Sequence, residues 1–274
     1  MSRSSNAKLS LAIWPRPGFE NRADLLSRGL SLPLLPVASA QDVPDTEQEQ
    51  LTLVVDDGGL SLQQLGPKAP GPVRCEFALG AARHRRLYGG GRGQDIAKAT
   101  GLGRSGFCPK LLDLTAGLGR DGFILASLGA QVTMIERNPI IYALLADGLS
   151  RAADKAEEDP PLAEILRRIN TVCQDSVDYL ETLTDQQYPD VIYLDPMFAP
   201  REKSSKVKKE MQIFHQLVGL DDIGELMPAA LGKARYRVVV KRPVHAPVLN
   251  GCEPGYSLKG KSTRFDIYPL QKLP

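Results

Sequence analysis

Leu111-Leu112-Asp113-Leu114-Thr115-Ala116-Gly117-Leu118-Gly119-Arg120-Asp121-Gly122-Phe123 is the stretch around which the chain is organised. Its apolar start predicts a short buried strand and its glycines a tight turn. Residues 123–128 then place apolar side chains at helical spacing. Strand, glycine turn and helix are how an open α/β sheet builds a site for an adenosine-bearing cofactor. Gly117 and Gly119 carry no Cβ, which predicts close approach of backbone to ligand at the turn.

Working outward, the pattern becomes β-α-β. Residues 130–136 read as a second strand and 138–151 as a helix with Pro139 in its first turn. A charged helical stretch at 161–168 precedes a short strand at 171–173. Residues 188–194 lead into a fourth strand, and 235–241 form a fifth. Residues 256–259 and 263–268 are expected to pair as a terminal antiparallel ribbon. Strands alternating with helices predict an α/β fold with a mostly parallel sheet covered on both faces. Ligands in such sheets sit outside the carboxyl ends of the strands.

Residues 1–90 read as a smaller N-terminal α+β lobe, and 91–274 as the main domain. In the lobe, 9–13 alternates as a strand does and 21–30 suits a short helix. The polar, proline-bearing stretch 36–50 reads as a surface loop. Leu51 to Val55, Asp56-Asp57-Gly58-Gly59 and Leu60 to Leu62 read as a hairpin, with a further strand at 73–77.

The bulk properties narrow the possibilities. A chain of 274 residues with 42% hydrophobic content buries a substantial core. The net charge is only +2, so a nucleic-acid surface must be a local patch. Cys75, Cys108, Cys173 and Cys252 are scattered, with no C-x-x-C pair. That argues against a zinc ribbon or disulfide framework and points to a reducing cytoplasm; no metal is expected. The apolar run at 9–14 is broken by Pro15 and Pro17, too short for a signal or membrane span.

Residues on the sheet's expected carboxyl edge complete a cofactor site. Gly117 to Gly122 fits G-x-G-x-x-G, which suits a dinucleotide equally well. Glu136 closes the second strand, where an acid accepts ribose hydroxyls in either cofactor class; the alternative is a helix N-terminal acid. Asp113 tips the choice toward S-adenosylmethionine. A dinucleotide fold usually has a plainly apolar first strand, whereas here an acid sits inside it, able to organise the turn or, through water, the cationic methionine end; a purely structural hydrogen-bond acceptor is the equal alternative. Arg120 and Asp121 open the following helix and face the same pocket. Asp175 and Ser176 follow the third strand, where an acceptor for the adenine amino group is expected; a plain N-cap is the other reading.

Asp195-Pro196-Met197-Phe198 closes the fourth strand. It resembles the D-P-P-Y/F motif of methyltransferases acting on exocyclic amines. An aryl amine is a poor nucleophile because its lone pair spreads into the ring. The Asp195 carboxylate and the Pro196 carbonyl can each accept one amino hydrogen, turning the lone pair toward a methyl donor. Phe198 offers a face for the base to stack on. Met197 stands in place of the second proline, so the class of base is not set by this tetrapeptide.

Basic segments flank this corner. Residues 78–110 form a basic connector holding Arg83, His84, Arg85 and Arg86. Lys203, Lys206, Lys208 and Lys209 follow the tetrapeptide, and Lys241-Arg242 ends the fifth strand. RNA phosphates are the expected partner, with Lys259, Lys261 and Arg264 extending the rim; solvated faces are the bland alternative.

Asp113-Leu-Thr-Ala-Gly-Leu-Gly-Arg-Asp-Gly, Ile135-Glu-Arg-Asn-Pro, Tyr193-Leu-Asp-Pro-Met-Phe, Lys203-Ser-Ser-Lys-Val-Lys-Lys-Glu-Met and Val240-Lys-Arg-Pro together are more specific than any one. They resemble the bacterial 16S ribosomal RNA guanine-N2 methyltransferase family called RsmJ, from about Tyr88 to the C-terminus and more loosely through the N-terminal lobe. The resemblance implies a class I methyltransferase, Rossmann-like fold and S-adenosylmethionine as cofactor. It also implies methylation of one guanine near the 3′ end of 16S ribosomal RNA, on the RNA or the small ribosomal subunit. The cofactor contacts it implies are Arg120, Asp121, Glu136, Arg137, Asp175, Ser176 and Asp195. A nicotinamide-dependent oxidoreductase, a catalytically silent RNA-binding module and an amine methyltransferase acting on DNA or protein are the rival functions.

Overall fold

A computed structural model describes residues 11–35, 51–65, 71–196, 217 and 224–274. The described chain forms two compact units, with the break between Cys75 and Glu76.

The first unit is a three-stranded sheet with one helix. Its elements are β1 (Leu11–Pro15), α1 (Glu20–Leu30), β2 (Leu51–Asp56) and β3 (Gly59–Gln64). β1 runs parallel to β2, and β2 pairs antiparallel with β3. The expected hairpin is present, closed by the Asp56–Gly59 pair, and the Asp56 carboxylate accepts the Gly58 N–H at 2.9 Å. The alternation expected in β1 is absent: Ala12, Ile13 and Trp14 are all buried. Trp14 packs with Ala12, Leu35, Val54 and Leu65. The strand expected at 73–77 shortens to a single bridge between Val73 and Leu62. Glu76 is diverted, its carboxylate accepting the N–H groups of Ala78 and Leu79 at 2.9 Å each and so opening the next helix. The loop expected over 36–50 lies outside the described residues.

The second unit carries the glycine turn. It begins with α2 (Gly80–Tyr88) and α3 (Asp95–Thr100), then β4 (Lys110–Asp113), α4 (Arg120–Ser127), β5 (Gln131–Glu136) and α5 (Pro139–Ala156). There follow α6 (Pro160–Leu166), β6 (Ile169–Cys173), α7 (Ser176–Thr182), β7 (Val191–Leu194) and α8 (Leu226–Lys233). The chain closes with β8 (Arg237–Pro243), β9 (Tyr256–Lys259) and β10 (Thr263–Pro269). Seven strands stand in the order β6-β5-β4-β7-β8-β10-β9. The first five of that order are parallel, and β10 is antiparallel to both its neighbours, as the terminal ribbon predicted. The order reverses between β4 and β7, which makes the crevice beyond their carboxyl ends the topological switch point.

Local chemistry explains the elements. Val191, Ile192, Tyr193 and Leu194 are all buried, as a central parallel strand demands. Asn138 caps α5 by accepting the N–H groups of Ile140 and Ile141 at 2.9 and 3.3 Å, with Pro139 next in line. The basic connector expected over 78–110 is largely helical. In α3, Ile96, Ala97, Ala99 and Thr100 are buried, and the helix packs on β8 and β10.

Candidate active site

The glycine turn between β4 and α4 is held from beneath by acids. Glu136, at the tip of β5, accepts the Gly117 N–H at 2.9 Å and the Asn138 N–H at 2.7 Å. Asp113, at the tip of β4, accepts the Thr115 N–H at 3.2 Å and is only 2% exposed. Burial pushes the Asp113 carboxyl up to about 8, and the charges of Asp121 and Asp195 add to that effect. The turn needs its glycines for two reasons. Gly117 and Gly119 both adopt left-handed backbone, with φ of 53° and 70°. A Cβ on Gly119 would stand 2.5 Å from Leu145 Cδ1 and 3.2 Å from Phe77 Cζ. The expectation that Gly119 faces a ligand is therefore corrected: it faces the core and lets helix and sheet close together.

Asp195 follows β7 directly. Its backbone N–H donates to Thr115 Oγ1 at 2.6 Å, tying this corner to the glycine turn across 80 positions of sequence. Its carboxylate receives Lys241 Nζ at 2.7 Å, and the same ammonium donates to Asp121 Oδ2 at 2.7 Å. Tyr193, fully buried, donates its hydroxyl to that Asp121 oxygen at 2.7 Å. Arg85 of α2 stands 3.6 Å from Asp121 Oδ1. Burial of Asp121 opposes its charge, but the Lys241 ammonium outweighs it and holds the carboxyl below the usual range. Burial likewise opposes the charge on Lys241, and the Asp195 and Asp121 carboxylates reverse that and raise it.

Of the expected cofactor residues, Asp113, Gly117, Asp121, Glu136 and Asp195 lie along the carboxyl edge of β4, β5 and β7, while the missing Cβ of Gly119 faces the core. Arg120 is exposed as the first residue of α4, and Arg137 is exposed directly after β5. Asp175 caps α7, its carboxylate accepting the N–H groups of Val177 and Asp178 at 2.8 and 3.4 Å. Ser176 donates its hydroxyl to the Leu114 carbonyl at 2.6 Å, which locks α7 against the end of β4. Pro196 is buried beside Asp195. Phe198, Lys203, Lys206, Lys208 and Lys209 lie outside the described residues.

Several basic residues are corrected. Arg86 was expected to meet RNA, but its side chain is 6% exposed and paired with Asp159. Arg242 is 3% exposed and donates to the Pro247 carbonyl. Arg264 is buried and forked onto Asp266. Each guanidinium is spent inside the protein because a buried charge needs a fixed partner. Lys241 is not a rim lysine either; it sits within the acid cluster. Arg83 and Arg85 remain exposed on α2. Sequence reasoning missed Tyr193 and Thr115. Tyr193 stands two positions before Asp195, on the same face of a strand, which alternation alone indicates.

The geometry fits a cofactor bearing ribose and a cationic centre: a glycine turn and helix start at the switch point, an acid at the tip of the neighbouring strand, and a carboxylate corner opposite. Among the described residues no His, Cys, Asp or Glu group is arranged to hold a metal ion, and no helix is long and apolar enough to cross a membrane.

Comparison with known proteins bears on the same point. Residues 36–270 match the family model described as "Putative SAM-dependent methyltransferase". The chain is 51% identical over 269 residues to ribosomal RNA small subunit methyltransferase J of Cellvibrio japonicus (strain Ueda107), covering 97% of this chain and 99% of that one. It is 52% identical over 228 residues to the protein of the same name from Pseudomonas aeruginosa (strain UCBPP-PA14), covering 83% and 85%. A crystal structure of an SAM-dependent methyltransferase from Neisseria gonorrhoeae superposes with a TM-score of 0.68 at 36% identity, covering 94% and 95% of the two chains.

Proposed function

This chain belongs to the ribosomal RNA small subunit methyltransferase J family of S-adenosylmethionine-dependent enzymes, and we propose that it methylates the exocyclic N2 amine of a guanine near the 3′ end of 16S ribosomal RNA. The observation that carries this reading is the placement of Asp195. Its backbone is fastened to the glycine turn through Thr115 and its carboxylate is anchored by Lys241, at the carboxyl edge where the cofactor turn opens. With the family known, the nicotinamide alternative left open by G-x-G-x-x-G falls away.

The residues of the chain divide the work. Glu136 and the turn at Gly117 hold the adenosine portion, with Asp113, Arg120, Asp121, Arg137, Asp175 and Ser176 around it. S-adenosylmethionine supplies an electrophilic methyl group on a sulfonium. The Asp195 carboxylate and the Pro196 carbonyl accept the two amine hydrogens, which aims the nitrogen lone pair and favours the positive charge developing on that nitrogen. Phe198 stacks on the base. If the guanine is paired or stacked in the substrate, extruding it costs a few kcal/mol. Arg83, Arg85, Lys203, Lys206, Lys208 and Lys209 grip flanking phosphates. The RNA or the small subunit is then the partner, and the cytoplasm the place of action.

Mapping N2-methylguanosine in 16S ribosomal RNA from cells with and without this gene tests the proposal. One guanine near the 3′ end loses its mark in the deletion strain, and the plasmid-borne gene restores it. An unchanged methylation map contradicts the assignment.

A further inference from the structure

Three acids meet at the proposed acceptor corner. Asp113 ends β4, Asp121 lies in the first turn of α4, and Asp195 follows β7. The registers of the sheet place them and their counter-ion. Asp113 stands opposite Tyr193, and Leu194 stands opposite Val240, so the next pair along is Asp195 and Lys241. Lys241 is the cation that both Asp121 and Asp195 touch, at 2.7 Å each. Arg85 stands further off, on the other oxygen of Asp121. The described groups facing this corner are therefore Asp113 from β4, Asp121 from α4, Tyr193 from β7, Lys241 from β8 and, through Asp121, Arg85 from α2.

We propose that Lys241 is a positioning residue for methyl transfer: it clamps Asp195 Oδ2 against Asp121 and so fixes the orientation of the acceptor carboxylate. This rests on the role given to Asp195 above. Asp121 is the second anchor of the clamp. It holds the ammonium from the α4 side and is itself braced by the Tyr193 hydroxyl. A flexible lysine pinned at two points loses the freedom that a lone surface ion pair has, so the carboxylate it holds has one orientation. The role differs from gripping a phosphate. A phosphate contact affects RNA affinity and its salt dependence, whereas a clamp on Asp195 affects turnover and its pH dependence.

Lys241→Met tests this in the full-length enzyme, with 16S ribosomal RNA from a deletion strain and S-adenosylmethionine. Removing the cation leaves Asp195 beside two acids, so its ionised form appears at higher pH. The expected result is a kcat lower by about tenfold or more at neutral pH, KM for RNA nearly unchanged, and the acid limb of the pH–kcat profile moved to higher pH. Lys241→Arg keeps the acid limb in place. A Lys241→Met enzyme with normal kcat and an unmoved acid limb overturns the inference, as does one with raised KM alone. Should the methionine variant fail to fold, Lys241→Gln reads the same limb: a move to higher pH supports the clamp and an unmoved limb overturns it. Any of these results leaves the role of Asp195 standing, because that role fails only if Asp195 variants themselves turn over normally.

Discussion

Glu136 and Gly117 lie 19 positions apart in sequence, yet the carboxylate of one accepts the backbone N–H of the other at 2.9 Å. The same carboxylate takes the Asn138 N–H at 2.7 Å. One side chain at the tip of β5 thus fixes both the glycine turn and the entry to α5. Glu136→Gln loses one acceptor oxygen and sets an NH2 against a backbone N–H. An unsatisfied buried donor costs about 1–3 kcal/mol, and at this chain length each kcal/mol is worth about 2–4 °C in Tm. A lower Tm by several degrees and an S-adenosylmethionine Kd raised about tenfold or more are expected in calorimetry. Unchanged values of both contradict the turn-holding role.

Gly119 and Gly122 differ in what a methyl group meets. At Gly119 a Cβ adds left-handed strain, with φ of 70°, to a 2.5 Å approach to Leu145. At Gly122 the same addition meets the flexible end of Met134, with Cε at 2.6 Å and no positive φ. Gly119→Ala is therefore expected to cost about 2–4 kcal/mol and to abolish cofactor binding, and Gly122→Ala to cost about 1–2 kcal/mol. Denaturant unfolding of the two variants orders them; equal losses contradict the strain argument.

The Asp113 carboxyl gives a pH signature. Burial, aided by Asp121 and Asp195, raises it to about 8 in the folded protein, against about 4 in an unfolded chain. The folded state then binds the extra proton across that window. Its contribution to stability is present below about pH 4 and is lost progressively as pH rises to about 8. Asp113→Asn removes the titration. The Tm difference, variant minus wild type, is expected to grow more positive from pH 5 to pH 8, roughly the span between those two values. Parallel curves contradict it.

Lys206 and Lys208 are expected to act through phosphates. Replacing both by Ala weakens RNA binding and lowers the slope of log K against log salt by about 1.4 to 1.8, two phosphate contacts' worth. Filter binding at several salt concentrations measures it, and an unchanged slope assigns that stretch another role.

The sequence was most informative where chemistry is local. The glycine turn, Glu136 at a strand end, Asn138 before Pro139, and Asp195 closing a buried strand follow from neighbouring residues. Their elements appear where spacing placed them. The basic residues were the least legible. Arg86 finds Asp159 across 73 positions, and Arg264 with Asp266 forms an internal fork. A run of charge in sequence does not say which members are paired inside. Lys241 was legible as a strand-end cation but not as the partner of Asp195, because that pairing follows from the register of β7 against β8. Gly119 was read for its missing Cβ correctly and for its neighbour incorrectly: the side it opens is the core.

In the proposed reaction the carboxylate of Asp195 presents a guanine amine for methyl transfer. The most direct test of this role is the transfer of labelled methyl from S-adenosylmethionine to 16S ribosomal RNA by wild type and Asp195→Asn, with the product nucleosides separated and cofactor Kd measured alongside. The wild type is expected to place label in N2-methylguanosine, and the variant to transfer none while its cofactor Kd stays within about tenfold. Label appearing at the wild-type rate in the variant, or in a nucleoside other than N2-methylguanosine, contradicts the account.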